Sequence, residues 1–337
     1  MPGRRYLVQP VHLCSYYHCV SRVVDRNFVF GTHERDVFRK ILRQVEAFSG
    51  VRVVTWTILS NHFHVLLEVP PAPAVEPTDN EILERCRSLY SEHGILAVEA
   101  EFADARRAGG QVLERCRRKY LRRMWDLSEF MKTLKQKFTS WFNRIHERVG
   151  TLWESRFKSV IVDGAWGSLT KVAAYIDLNA VRAGLVDDPK DYRWCGYGEA
   201  VAGVGLARRG LGAAFSDGGA TTSWRELGPR YRKILFGIGE EHSARRGLSA
   251  AEVEAVWQAG GKLSLAQLLR CRVRYFTDGF AVGSEAFIGA VFHMCRDASG
   301  ENCGTRAWAM RGGDWGGMRV ARGLRRAPIS PPSSRDG

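Results

Sequence analysis

The sequence predicts an α+β fold of the ferredoxin-like, split βαβ kind: a four-stranded antiparallel sheet with helices on one face, followed by a helical C-terminal region. Three observations lead there. Strand and helix patterns over residues 15–182 run strand, helix, strand, strand, helix, strand, helix. Residues 62–69 alternate apolar and polar side chains with the period of a strand. Two stretches, 32–49 and 127–145, repeat apolar residues with the period of a helix.

Residues 15–24, Ser-Tyr-Tyr-His-Cys-Val-Ser-Arg-Val-Val, read as the first strand. Thr32 is placed to cap a helix in which Val37, Phe38, Ile41, Leu42, Val45 and Phe48 share a face, and Gly50 ends it. Residues 51–59 are β-branched and aromatic, which predicts a second strand. Ser60-Asn61 then turns the chain into a hairpin partner. In that third strand Phe63, Val65, Leu67 and Val69 form an apolar underside. His62, His64 and Glu68 share the other face, and two imidazoles side by side on a strand make half of a divalent-metal site. Glu68 could orient an imidazole or face solvent.

Pro70, Pro71, Pro73 and Pro77 interrupt the sheet pattern. Residues 79–124 read as charged helix, with a basic cluster at Arg115, Arg117, Arg118, Lys119, Arg122 and Arg123. Asp126 followed by Glu129 resembles a capping box, opening a helix with Met131, Leu134, Phe138, Trp141, Phe142 and Ile145 inward. Residues 157–162 give a fourth strand. A helix over 167–182 would carry Tyr175 and Asn179 at i, i+4, on one face. Beyond Gly196 the pattern softens. Ser249-Ala-Ala-Glu252 is another capping box, Ser264 could cap a helix to about residue 275, and Ser284 one to about residue 294. Three short helices allow a helix-turn-helix-like module or simply three helices. The expected organisation is a domain over 10–200 with an insertion at 71–127, a helical region over 201–303, and a flexible basic tail over 304–337.

The chain has 337 residues, 45% hydrophobic, enough for a core. Its 50 Lys and Arg against 36 Asp and Glu give a net charge of +14, which favours polyanionic partners, nucleic acid first. No uncharged apolar run approaches the roughly 18 residues that span a bilayer, so no membrane partner is expected. The basic start at Met1 has no apolar stretch after it, so the expected location is the cytoplasm, beside the chromosome. Eight cysteines without a Cys-x-x-Cys pair argue against a zinc ribbon and for reduced thiols.

A basic protein with a histidine pair and a helical Tyr-x-x-x-Asn suggests cutting and rejoining of DNA. Phosphodiester oxygens repel nucleophiles; a bound cation neutralises that charge and holds the phosphate in line. Two imidazoles and one amide oxygen leave positions open for phosphate oxygens and water, which suits Mg²⁺ or Mn²⁺. A tyrosine nucleophile stores the bond energy as phosphotyrosine. Each residue also has a plainer account. Tyr175 taken alone would pack, Asn179 would cap a helix end near Gly184, His18 would be a hydrogen-bonded core residue, and the 115–123 cluster would be a solvated helix face.

The blocks Tyr17-His18-Cys-Val-Ser-Arg22, Asn61-His62-Phe-His64-Val-Leu-Leu-Glu68, Gly150-Thr-Leu-Trp153-Glu-Ser-Arg156-Phe-Lys-Ser159, Tyr175-Ile-Asp-Leu-Asn179-Ala-Val-Arg-Ala-Gly-Leu-Val186 and Tyr192-Arg-Trp194 occur in that order. Together they resemble the single-tyrosine HUH transposases, in particular the branch associated with repetitive extragenic palindromes. The resemblance covers roughly residues 10–200. It implies His62 and His64 as metal ligands, Asn179 as the third, and Tyr175 as the nucleophile that forms a 5′-phosphotyrosine. It further implies binding of DNA hairpins and cleavage of adjacent single strands, with Mg²⁺ or Mn²⁺, by a homodimer or a monomer. The candidate DNA contacts are Arg115, Arg118, Lys119, Arg122, Lys135 and Arg156. The chain departs from that pattern with Ala180 where proline often follows the asparagine, with the long stretch 71–127, and with residues 200–337, which the resemblance leaves out. A non-catalytic, host-domesticated hairpin-binding protein of the same fold is the alternative. A replication or plasmid-relaxation nuclease and a hydrolase using activated water are further rivals.

Overall fold

The computed structural model describes residues 14–215, 223–236, 254, 258, 265–299, 307–321 and 329–330. The alternating pattern of the first half sets the register. Strands β1 (Ser15–Arg22), β2 (Arg52–Ile58), β3 (His62–Val69) and β4 (Lys158–Val162) lie in the order β2-β3-β1-β4, each antiparallel to its neighbour. Pairing of Arg22 with His62 and Val20 with His64 puts these side chains on one face. The β2–β3 hairpin forms as expected, closed by the Leu59 amide on the His62 carbonyl at 2.8 Å.

The sheet does not stop at four strands. The C-terminal part adds β5 (Arg272–Val273), β6 (Ala281–Gly283), β7 (Trp308–Ala309), β8 (Arg319–Val320) and β9 (Ile329–Ser330). β6 pairs parallel to β4, and β8 and β7 follow, giving a seven-stranded mixed sheet; β5 and β9 pair separately. This corrects three expectations. The sheet is larger than four strands, the C-terminal region is not purely helical, and part of the supposed flexible tail, residues 307–321, is tied into the sheet. Strands of two or three residues are too short to show a period in sequence. The helix expected from Ser264 to about 275 spans Leu265–Arg270 and is broken by β5, and a short helix at Tyr275–Asp278 follows. Ser264 and the Ser249–Glu252 box lie outside the described residues. Ser284 does cap the helix Glu285–Ser299, its hydroxyl accepting from the Phe287 amide at 3.2 Å.

One face of the sheet packs on α1 (Thr32–Ser49) and α5 (Leu127–Ile145), where Phe38 meets Phe63 at 4.7 Å and Phe138 at 5.4 Å between ring centroids. Such pairs add to an already large burial of apolar area. Gly31, not Thr32, is the cap residue of α1, and Gly50 ends it in the left-handed conformation, φ 73°. Asp126 caps α5 by accepting from the Glu129 amide. The insertion folds as α2 (Asp79–Leu89), α3 (Glu92–Ala108) and α4 (Gly110–Leu121), with a reciprocal Thr78–Glu81 capping box. Ile82, Cys86 and Leu89 of α2 are buried in the same core as α1.

The opposite face is covered too, so helices flank both sides rather than one. α6 (Trp166–Asp177) crosses it, and α8 (Gly196–Val201), α9 (Gly205–Ala213) and α10 (Trp224–Phe236) pack around it. Leu66, Val160 and Val162, on the histidine face, are buried beneath these helices. They explain the cover: apolar side chains on both faces of a sheet call for a layer on each. The helix expected over 167–182 is interrupted. α6 ends at Asp177, and the short α7 (Asn179–Arg182) follows Leu178.

Candidate active site

β3 holds His62 and His64 side by side, ring centroids 5.1 Å apart. α6 crosses the same face and brings Tyr175 within 6.4 Å of His64, centroid to centroid. His62, His64, Tyr175, Asn179, Arg182 and Arg22 all line one cavity of about 210 Å³. Residues from three remote stretches thus meet. Tyr175 is only 2% exposed, yet it borders the cavity, and its hydroxyl makes no hydrogen bond to a described residue.

The protons on the imidazoles follow from their partners. The Phe276 carbonyl can only accept, so the His18 Nδ1 that faces it at 2.7 Å carries hydrogen. In neutral His18 the Nε2 is then an acceptor, and His64 Nδ1–H donates to it at 2.9 Å. Asn61 donates through its amide nitrogen to the Arg26 carbonyl at 3.2 Å, which turns its oxygen toward His62 Nδ1 at 2.6 Å. Both Nδ1 atoms are therefore donors. Each Nε2 keeps its lone pair and makes no hydrogen bond to a described residue.

Burial keeps these rings neutral. It pushes His62 down to about 3, helped by the charges of Arg22, Arg272 and Arg182. It also pushes His64 well below the usual histidine range, with His18, His62, Arg182 and Arg22 adding to the effect. His18 is lowered to about 4 by burial, against the pull of its bond to Phe276. Neutral imidazole is the form that ligates metal.

Arg182 organises the tyrosine. Its guanidinium carbon lies 3.9 Å from the centre of the Tyr175 ring, and it donates to the Tyr175 carbonyl at 2.5 Å and to Asn179 Oδ1 at 2.6 Å. The Asn179 amide nitrogen donates to the Ile176 carbonyl at 3.1 Å. The Asn179 oxygen thus has one lone pair engaged and a second that could serve a cation. No cluster of three or more His, Cys, Asp or Glu able to hold a metal occurs among the described residues. Two imidazole nitrogens and one amide oxygen fit a cation that takes its remaining ligands from water and phosphate, as Mg²⁺ and Mn²⁺ do.

Asp177, between the tyrosine and the asparagine, anchors the helix. It accepts from Thr55 of β2 at 2.8 Å, from the Tyr197 amide at 3.1 Å and from the Tyr231 hydroxyl at 2.5 Å. Burial raises its carboxyl to about 7 in spite of those three donors. Sequence reasoning passed over Asp177, Asn61 and Arg182. Arg182 had a signal: it lies three residues after Asn179 and seven after Tyr175, on the same helical face. Phe276 and Arg272, which reach the site from the C-terminal part, had none. Glu68 neither orients an imidazole nor faces solvent; it is buried and pairs with Arg52 at 2.7 Å. His18 is the hydrogen-bonded residue expected.

The candidate DNA contacts divide. Arg156 lines the cavity, and Lys135 lies in the neighbouring groove along α5. Arg122 borders a further groove that adjoins it. The α4 residues Arg115, Arg118 and Lys119 border none of these. Arg118 pairs with Glu114 at 2.6 Å, Lys119 with Glu101 at 2.7 Å, and Arg115 donates to the Gln111 carbonyl at 3.3 Å.

No helix of the described residues is long and apolar enough to cross a membrane. The seven described cysteines form no disulfide. Comparison with curated proteins finds no match. Among solved structures, that of a REP-associated tyrosine transposase bound to a REP hairpin matches 67% of this chain and 96% of its own, at 14% identity and a TM-score of 0.34. The family described as "Transposase IS200 like" matches residues 11–90, a span that contains His62 and His64 and stops before Tyr175. Over residues 11–90, from β1 through the histidine strand into α2, the chain is therefore similar to the IS200-like transposases.

Proposed function

We propose that this protein is a metal-dependent, tyrosine-type nuclease and strand transferase for single-stranded DNA beside hairpins, acting as a transposase or its domesticated relative. The observation that carries the reading is the convergence of His62, His64, Tyr175 and Asn179 on one cavity from two separate stretches of chain. The arrangement of β1–β4 is in keeping with the split βαβ layout that the strand and helix patterns predict.

In this reading His62 and His64 present Nε2, and Asn179 its amide oxygen, to a Mg²⁺ or Mn²⁺ ion. That ion would neutralise and polarise the scissile phosphate. The Tyr175 oxygen attacks phosphorus, forming an O–P bond as the bond to the 3′ oxygen breaks. The phenolic proton is released, and the departing strand end takes up a proton as a 3′ hydroxyl. The product is a 5′-phosphotyrosine, and attack by another 3′ hydroxyl reverses the step and joins the strands. Arg182, stacked on the tyrosine ring, holds it in place and offers fixed positive charge where negative charge develops. Arg22, Arg156 and Arg272 around the cavity suit the phosphates.

Incubation of a hairpin-bearing single strand with Mg²⁺ or Mn²⁺ tests this. A covalent protein–DNA adduct should form with the wild type and vanish in Tyr175→Phe. Cleavage by the Phe variant would point to activated water instead, and hairpin binding with no product to the non-catalytic alternative.

A further inference from the structure

The cavity at the histidines is not isolated. Arg156 borders both it and a groove of about 740 Å³ along α5. Lys132 and Gln136 border both that groove and a third hollow of about 510 Å³, which reaches Arg122 and Arg123 at the end of the insertion. Shared lining residues set the three hollows next to one another, a path from the tyrosine to the insertion.

Carboxylates border the two ends of the path, Glu154 and Asp278 at the cavity and Glu129 at the far hollow. In its central stretch Lys132, Lys135 and Arg156 supply positive charge, and no carboxylate borders it. Ser128, Gln136, Thr139 and Ser140 provide neutral hydrogen-bonding groups. The spacing of 128, 132, 135/136 and 139/140 places them on one face of α5, and from Ser128 to Ser140 that face runs about 18 Å. Its floor is sealed: Trp153 is 7% exposed and donates its indole hydrogen to Thr139 at 2.8 Å. Among the described residues the guanidinium groups of Arg122 and Arg156 have no carboxylate within ion-pair distance. Lys132 pairs with Glu129 at 3.0 Å, an exposed contact that a phosphate can displace, and Lys135 donates to the Ser155 carbonyl at 2.8 Å. Cations among hydroxyls and an amide are the donor set that follows a sugar-phosphate backbone.

We propose that this path is a binding track for the single strand that flanks the scissile phosphate. The strand leaves the tyrosine cavity past Arg156, lies along the Lys132–Lys135 face of α5, and is gripped at its far end by Arg122 of the insertion. The proposal rests on the cleavage reading above for which strand enters the track. On this account the insertion 71–127 lengthens the footprint on the substrate.

The test is binding by fluorescence anisotropy over a range of salt, in a Tyr175→Phe background so that covalent chemistry plays no part. The probes are a short oligonucleotide confined to the cavity, the same oligonucleotide with a single-stranded extension, and one with the extension paired as duplex. The variant is Arg122→Gln/Lys132→Gln/Lys135→Gln, with its melting temperature checked against the parent. On the extended strand, loss of three phosphate contacts should make the slope of log affinity against log salt shallower by about 2. The short probe should bind both proteins alike. An unchanged slope, an equal loss on the short probe, or a loss seen only with duplex would overturn the track. If wild type forms no adduct yet the slope changes as expected, the cleavage reading fails and the track stands.

Discussion

The Nε2 atom of His18 lies 2.9 Å from Nδ1 of His64, and this contact decides which nitrogen of His64 is left for the cavity. Residues that orient a ligand in this way typically matter 10–100-fold for metal affinity. His18→Leu should lower Mn²⁺ affinity by about that factor, measured by electron paramagnetic resonance on the free protein. His18→Gln, whose amide can donate to Phe276 and accept from His64, should retain more of it. Equal affinity in all three proteins would remove His18 from the site.

The charges around His62 make metal and DNA interdependent. Arg22, Arg182 and Arg272 act on His62 and oppose a dication placed beside it. A phosphate supplies the missing negative charge. Mn²⁺ should therefore bind weakly to the protein alone and more tightly with a cleavage-site oligonucleotide, and by linkage the oligonucleotide should gain by the same factor. Calorimetric titration in both orders, with Tyr175→Phe to block reaction, reads this directly. Identical metal affinity with and without DNA would contradict it.

Asp177 sets a pH dependence of stability. Its carboxyl is raised by burial to about 7, above its usual value of 3.8, so the folded protein holds that proton more tightly than the unfolded chain. The contribution is complete below about pH 4 and is lost as pH rises to about 7. A shift of this size corresponds to about 4 kcal/mol. Denaturant unfolding between pH 4 and pH 8 should show stability falling with pH from this group. In Asp177→Asn that component should disappear, and a slope equal to wild type would assign it elsewhere.

Helix α9 can lie against β2 only because residue 210 lacks a side chain. A Cβ there would sit 2.2 Å from the Val53 carbonyl oxygen, beside the bulge between Val53 and Thr55. Gly210→Ala should destabilise by about 1–3 kcal/mol through overpacking. Gly212→Ala, on the same helix with nothing within 4 Å of the new methyl, should be neutral or stabilising. Thermal unfolding of the two variants separates packing from helix propensity.

By itself the sequence determined the first four strands, the two helices beneath them and the side of β3 on which both histidines stand. Those features are local: period two or 3.6, a turn, a terminating glycine. The spacing of Tyr175 and Asn179 was legible for the same reason, although the break at Leu178 was not. Tertiary structure alone decided the rest. Burial of Leu66, Val160 and Val162 calls for helices over the histidine face, and the strands that β6, β8 and β7 add to the sheet are two or three residues long. The hydrogen bond from His18 to the Phe276 carbonyl, 258 residues away in sequence, and the joining of Arg156 to the groove on α5 arise only when distant segments pack. Periodicity reports which face a side chain takes; only packing determines what that face meets.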